Sequence, residues 1–372
     1  MSIFFLLTTN FVSYTLSTAV SKAFYKALGE TTTWPELAGN ISPTSITYSD
    51  VNLVPQITDI ASRTEIDTSV TFGPYKLKIP FIGAPMDTIL GERMIRELHR
   101  LGALGTLPRV RKDQFKENLK LCKTLTRDKV ACLYVIGLKT GYDEALAYAK
   151  AGAKMVLIDV AHGGMKQVID LAKKIKKNTH LTLVAGNIVT FEQAKLYKKA
   201  GIDIARVGVG PGSVCITRMV AGTGFPQLSA VFETTASGIP VIADGGMKRP
   251  GDFAKAIAAG AIVAMGGSML AGTEETPGDV IHGQKIYRGQ ASEGYMKDHG
   301  TSVNASRSAE GITTTVTAKG PVAHVIEDFL GGLKSAMSYS GARTIKEFHE
   351  KAVFVLSSNA TQRENLPHFT LD

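Results

Sequence analysis

Apolar residues along this chain gather into short runs that close on glycine, proline or a polar residue. Eight recur: IPFIGAPM (79–86), ALGTLPR (103–109), ACLYVIG (131–137), MVLIDVA (155–161), LTLVAGN (181–187), IARVGVG (204–210), PVIADGG (240–246) and IVAMGGSM (262–269). Runs this short and this continuous predict parallel strands buried on both faces. Between them the apolar period becomes helical, as in 89-ILGERMIRELHRLG-102, 141-GYDEALAYAKAG-152, 190-TFEQAKLYKKAG-201 and 251-GDFAKAIAAG-260. Several of these segments end in Ala-Gly, a C-terminal cap. Eight evenly spaced strand–helix units without an edge-like strand predict an α/β fold closed into a (β/α)₈ TIM barrel. A doubly wound open sheet is the structural competitor.

In a barrel, chemistry sits on the loops that follow the strands. In 208-GVGPGSVCITR-218, four of the six residues before Cys215 are Gly, Pro or Ser, so the backbone can curl. Such a loop can cradle a phosphate through N–H groups or a monovalent cation through carbonyls. Cys215 reads either as a small buried hydrophobe or as a nucleophile, and its loop favours the nucleophile. The turns 244-DGG-246 and 266-GGS-268 end the last two strands, the usual phosphate corner of a barrel. Asp244 cannot favour a phosphate, so a ribose diol is its expected partner. Asp159 in DVAHGG is placed to bond a cofactor amide or a base, whereas His162 reads equally well as a plain loop residue. Glu293, in the Gly-containing segment 287-YRGQASEGYM-296, is a candidate proton carrier or simply a solvated acid.

Composition narrows the partners. The net charge of +9 comes from lysines and arginines at helical spacing, as in 166-KQVIDLAKKIKK-177, with no basic-aromatic stripe. Solvated helix faces and phosphate-bearing small molecules are expected, and no nucleic-acid partner. Cys122, Cys132 and Cys215 form no CxxC pair, which suits a reducing, cytoplasmic compartment. Residues 1–20 are apolar-rich but broken by Thr, Ser and Asn, and the first cation is Lys22. Neither a secretory signal nor a membrane span is therefore expected. Residues 1–44 read as an N-terminal extension and 45–372 as one catalytic barrel. The stretch 270–372 reads as a Gly-rich charged loop or flap followed by helices.

GVGPGSVCITR, ADGG, GGSMLAGTEETPGD and YRGQASE together resemble the IMP dehydrogenase/GMP reductase family, from about Tyr48 to about Phe354. The resemblance implies a tetrameric barrel enzyme whose cysteine, here Cys215, forms a covalent thioimidate at C2 of a purine nucleotide. It implies phosphate binding by Ser213, Gly246, Gly267, Ser268 and Tyr287, ribose binding by Asp244, and further substrate contacts from Gly245 and Gly289. The carbonyls of Gly210, Gly212 and Cys215 would hold a potassium ion. Thr217 and Glu293 would relay a proton to a departing amine, with Arg109 balancing charge there. Asp159, Val160 and Ala161 would meet the nicotinamide cofactor. Ser62 and Arg63 would hold the ribose phosphate of NADPH, across a subunit interface.

Between Arg109 and Ala131 there are 21 residues, too few for the regulatory CBS insert common in the dehydrogenases. Between Glu293 and Glu310 there are 16, and they contain no Arg-Tyr pair of the kind with which dehydrogenases activate water. DVAHGG, ASE and 62-SRTEIDTSVTFG-73 resemble the reductase branch, whereas APMDTI, MVAGTGFPQ and SMLAGTEETPGD read more like the dehydrogenases. The expectation is NADPH-dependent reductive deamination of GMP to IMP. A dehydrogenase lacking the insert, or a catalytically silent purine-nucleotide-binding protein, would be the alternatives.

Overall fold

In a computed structural model, the structure describes residues 45–109, 112–300, 303–304, 306 and 308–365; the N-terminal extension expected over 1–44 lies outside them. Eight parallel strands form one sheet: β1 Phe81–Gly83, β2 Gly105–Leu107, β3 Cys132–Ile136, β4 Met155–Asp159, β5 Thr182–Ile188, β6 Ile204–Val207, β7 Val241–Asp244 and β8 Val263–Gly266. β8 pairs with β1, and Leu104 bridges Ile82 in parallel, so the sheet closes into the expected barrel. Its strands lie within the eight apolar runs, except that β5 extends one residue past its run, to Ile188.

Strand parity divides the core. Ile82, Leu133, Val135, Leu157, Val184 and Ile242 fill the barrel, while Tyr134, Ile136, Val156, Ile158 and Ala185 face the helices. Tyr134 stacks on Tyr148 of the Gly141–Lys150 helix, with ring centroids 4.9 Å apart. The helices end where the sequence predicted. Glu92–Leu101 buries Met94, Ile95 and Leu98 and stops at Gly102, whose left-handed backbone donates to His99 and Leu98 carbonyls. Phe191–Ala200 begins with a Thr190–Gln193 capping box and stops at left-handed Gly201.

Two hairpins outside the barrel were not expected as strands. Val70–Phe72 pairs with Tyr75–Leu77, and Phe72 and Leu77 enter the barrel core beside Met155, plugging the end where the strands begin. Gln284–Arg288 pairs with Thr313–Thr317, so the flap that sequence read as a loop stands on a β-stem. Each strand of that stem shows too few core-facing residues to register as apolar runs. Val51–Leu53 pairs antiparallel with Phe354–Leu356. No helix among the described residues is long and apolar enough to cross a membrane.

Candidate active site

The loops at the C-terminal end of the barrel surround a cavity of about 730 Å³. The strands determine what reaches it. Cys215 and Thr217 follow β6, Asp244 to Gly246 follow β7, and Gly267 and Ser268 follow β8; all of them line the cavity. So do Arg109 after β2, and Asp159, Val160 and Ala161 at the end of β4.

The half-buried Cys215 thiol lies 3.2 Å from the Thr217 hydroxyl. Its own N–H donates to the Gly212 carbonyl at 3.1 Å, closing the glycine-rich loop into one turn. The flap holds that turn from the other side. Ile216 N–H donates to the Glu310 carbonyl at 2.8 Å, and Ile312 N–H to the Val214 carbonyl at 3.0 Å. Cys215 is thereby bridged to Gly311. A Cβ on Gly311 would lie 3.1 Å from Ser292 N and 3.2 Å from the Val214 carbonyl, so a side chain would wedge flap from loop.

Toward the turns after β7 and β8, Ser213 Oγ and Tyr287 Oη are 3.0 Å apart. Burial raises the Tyr287 phenol above its ordinary value, so it is a neutral donor or acceptor at physiological pH. Gly245 and Gly246 both have positive φ (+83° and +81°), a backbone that L side chains rarely adopt. Two consecutive amides can then turn toward one anion. Gly267, Ser268 and Gly289 line the same cavity.

Arg206 on β6, which sequence reasoning passed over, organises the acids. It is 7% exposed, donates to Asp159 Oδ1 at 2.5 Å, and reaches Asp244 Oδ2 at 3.0 Å. Asn187 Nδ2 donates to the same Asp244 oxygen at 2.8 Å. These bonds fall on Asp244 Oδ2 and leave Oδ1, on a residue that lines the cavity, as a further acceptor. Burial works against the guanidinium charge, but Asp244 and Asp159 outweigh it and hold its pKa above the ordinary value. A lone arginine within the apolar run IARVGVG was the sequence signal for this role.

Three expected site residues are placed elsewhere. Glu293 is exposed at the start of the Glu293–Asp298 helix and does not line the cavity. Ser292, immediately before it, caps that helix by accepting from Tyr295 N–H, which turns the Glu293 side chain outward. The flap acid that does line the cavity, beside Asp159 and Asp244, is half-buried Glu310, held on the cysteine turn by its backbone bond to Ile216. Ser62 and Arg63 lie on an exposed 3-10 turn, with Ser62 Oγ accepting from Thr64 N–H, and do not line this chain's cavity. The flap is fastened by Arg288, which pairs with Asp87 after β1 at 2.5 Å and with Asp298 at 2.6 Å. Gln290 adds a bond to the Pro85 carbonyl.

The IMP dehydrogenase / GMP reductase domain model matches residues 45–368. An inosine-5′-monophosphate dehydrogenase of Aquifex aeolicus is 39% identical over 330 residues, covering 81% of this chain and 67% of that protein. A GMP reductase of Leishmania donovani is 42% identical over 248 residues, covering 62% and 50%. The chain spans about half the length of several curated relatives it matches. Among solved structures, a GMP reductase from Trypanosoma brucei, a cysteine-to-alanine variant in complex with guanosine 5′-monophosphate, superposes with a TM-score of 0.79 at 28% identity. That match covers 90% of this chain and 100% of the other.

Proposed function

The chain belongs to the IMP dehydrogenase / GMP reductase family, and from that premise we propose that it catalyses GMP + NADPH + 2 H⁺ → IMP + NH₄⁺ + NADP⁺. The observation that carries this reading is the grouping of Cys215, Thr217 and Glu310 at one cavity whose far side offers a ribose acid and a phosphate turn. The flap favours the reductase direction: only 16 residues separate Glu293 from Glu310, without an Arg-Tyr pair to activate water.

Bound GMP would place its phosphate against Ser213, Gly246, Gly267, Ser268 and Tyr287, its ribose on Asp244 and C2 beside the Cys215 thiol. Cys215 attacks C2, and the amine leaves as Thr217 passes it a proton, with Glu310 taking the carboxylate role that sequence reading gave to Glu293. Arg109 balances the charge of this step. A nicotinamide dinucleotide against Asp159, Val160 and Ala161 supplies the hydride when bound. Thiolate then leaves and IMP is released. The resident-cation reading fits the loop: Gly212 and Cys215 open and close one turn, Gly210 precedes it in the same glycine-rich loop, and carbonyl oxygens suit potassium. Such an ion would stiffen the turn that presents the thiol.

The deciding assay supplies the purified protein with GMP plus NADPH and, separately, with IMP plus NAD⁺. GMP-dependent NADPH oxidation with stoichiometric ammonia is expected. IMP-dependent NAD⁺ reduction alone would assign the dehydrogenase branch, and tight GMP binding without turnover would make the chain a silent binder.

A further inference from the structure

Gln227 closes the stretch MVAGTGFPQ and carries none of the roles assigned so far. It is the first residue of the Gln227–Thr235 helix and only 2% exposed. Its Nε2 donates to the Val207 carbonyl at 2.8 Å and to the Asp244 carbonyl at 3.1 Å. Val207 ends β6 and Asp244 ends β7, and the register between these strands stops one residue earlier on β7, at Ala243 opposite Val207. Past that point the neighbouring N–H groups turn away: Gly208 donates to Ile188 and Gly245 to Met265. The two strand ends thus lose their direct ladder just where the cysteine loop and the ribose-and-phosphate turn begin. One buried amide bridges them instead.

The surroundings are built for this close approach. A Cβ on Gly208 would fall 2.4 Å from the Asp244 carbonyl and 2.8 Å from Gln227 Oε1, so only glycine fits. On the other side, a Cβ on Gly246 would lie 3.3 Å from the Tyr48 ring and 3.4 Å from Gln227 Cβ. Tyr48 is 2% exposed and has no freedom to withdraw. The turn is therefore seated on Gln227 and Tyr48, and the cysteine loop is tied to the same side chain.

We propose that Gln227 is a positioning residue that sets the distance between the Cys215 loop and the Asp244–Gly246 turn, and so aligns a nucleotide's C2 with the thiol. The inference rests on the reading that a purine nucleotide spans both elements. Apart from Ser213 on the cysteine loop and Tyr287 on the flap stem, the phosphate and ribose contacts lie on the turn and the GGS corner, so losing the tie leaves binding nearly intact. Attack requires thiol and C2 to meet, and a displacement of about 1 Å is enough to lower a rate on the order of a hundredfold.

The test is Gln227→Met, which keeps the volume and removes both N–H donors. Turnover of GMP with NADPH is expected to fall on the order of a hundredfold. The Kd for GMP should stay within about threefold of wild type, and so should alkylation of Cys215 by iodoacetamide without nucleotide, because no direct contact of thiol or ligand is removed. Wild-type turnover overturns the proposal. So does a variant in which turnover, GMP affinity and thiol reactivity fall together, the mark of general loosening. Should Gln227→Met fail to fold, Gln227→Glu applies, with the same split expected at neutral pH. Its activity relative to wild type should recover toward low pH, where the protonated carboxyl donates one bond; wild-type turnover at neutral pH overturns the proposal here too. If wild type binds no purine nucleotide, the functional reading fails and this inference falls with it. If wild type binds and turns over while the variants match it, only this inference falls.

Discussion

The Cys215 thiol lies 3.2 Å from the Thr217 hydroxyl on the turn after β6, and no other cysteine reaches the cavity. Cys122 and Cys132 are buried, and burial pushes both thiols above their ordinary value. Cys215→Ser is expected to bind GMP and lose turnover. Mass spectrometry of wild type during turnover should find a purine adduct on Cys215; an adduct on Cys122 or Cys132, or an active serine variant, would refute the assignment.

Glu310 and Glu293 make opposite predictions. Glu310→Gln should lower the deamination step by roughly 10²–10⁴-fold, the usual range for general acid–base catalysis. Glu293→Gln should change it little, because that side chain is exposed outside the cavity. Single-turnover ammonia release reads the step directly, and the reverse order of effects would restore Glu293.

Arg206 pairs with both buried Asp159 and half-buried Asp244. Arg206→Met should destabilise the fold by about 3–5 kcal/mol, the loss expected when one partner of a buried ion pair is removed. Urea unfolding measures it. A loss below about 1 kcal/mol would mean that Asp159 and Asp244 are solvated or protonated rather than held by this guanidinium.

Arg63 tests assembly and cofactor choice together. It lies on an exposed turn outside this chain's own cavity, so any cofactor contact comes from packing two chains side by side. Arg63→Ala should weaken NADPH relative to NADH by about 1.5–3 kcal/mol, the range for a hydrogen bond to a charged group. Equal losses for both cofactors, measured as separate Kd values, would leave Arg63 with no part in recognising the extra phosphate.

His349 predicts a pH dependence of stability. Burial lowers its pKa below the ordinary 6.5, and its Nε2 sits 3.3 Å from the Ala261 carbonyl. The unfolded chain therefore takes up the proton first as pH falls. This residue's contribution is complete above about pH 6.5 and declines below it. His349→Gln should flatten the fall in melting temperature between pH 7 and pH 5; an unchanged slope would assign that fall to other groups.

The barrel was legible in the chain because a strand buried on both faces is apolar at nearly every position, and eight such runs at one beat allow few closures. The Ala-Gly endings read correctly for an equally local reason: a left-handed residue after a helix selects glycine. Cys215 and the DGG and GGS turns stood out because close backbone approach excludes side chains. What pairs across the sequence stayed hidden. Ser292 caps a helix and turns Glu293 outward, while the flap's return strand brings Glu310, 17 residues later, onto the cysteine turn. Both are glutamates in polar, Gly-containing segments, so composition could not rank them. Arg206, Asn187 and Gln227 act through partners 17 to 57 residues away. Their roles depend on which strand ends become neighbours when the sheet closes, and only the closed barrel decides that.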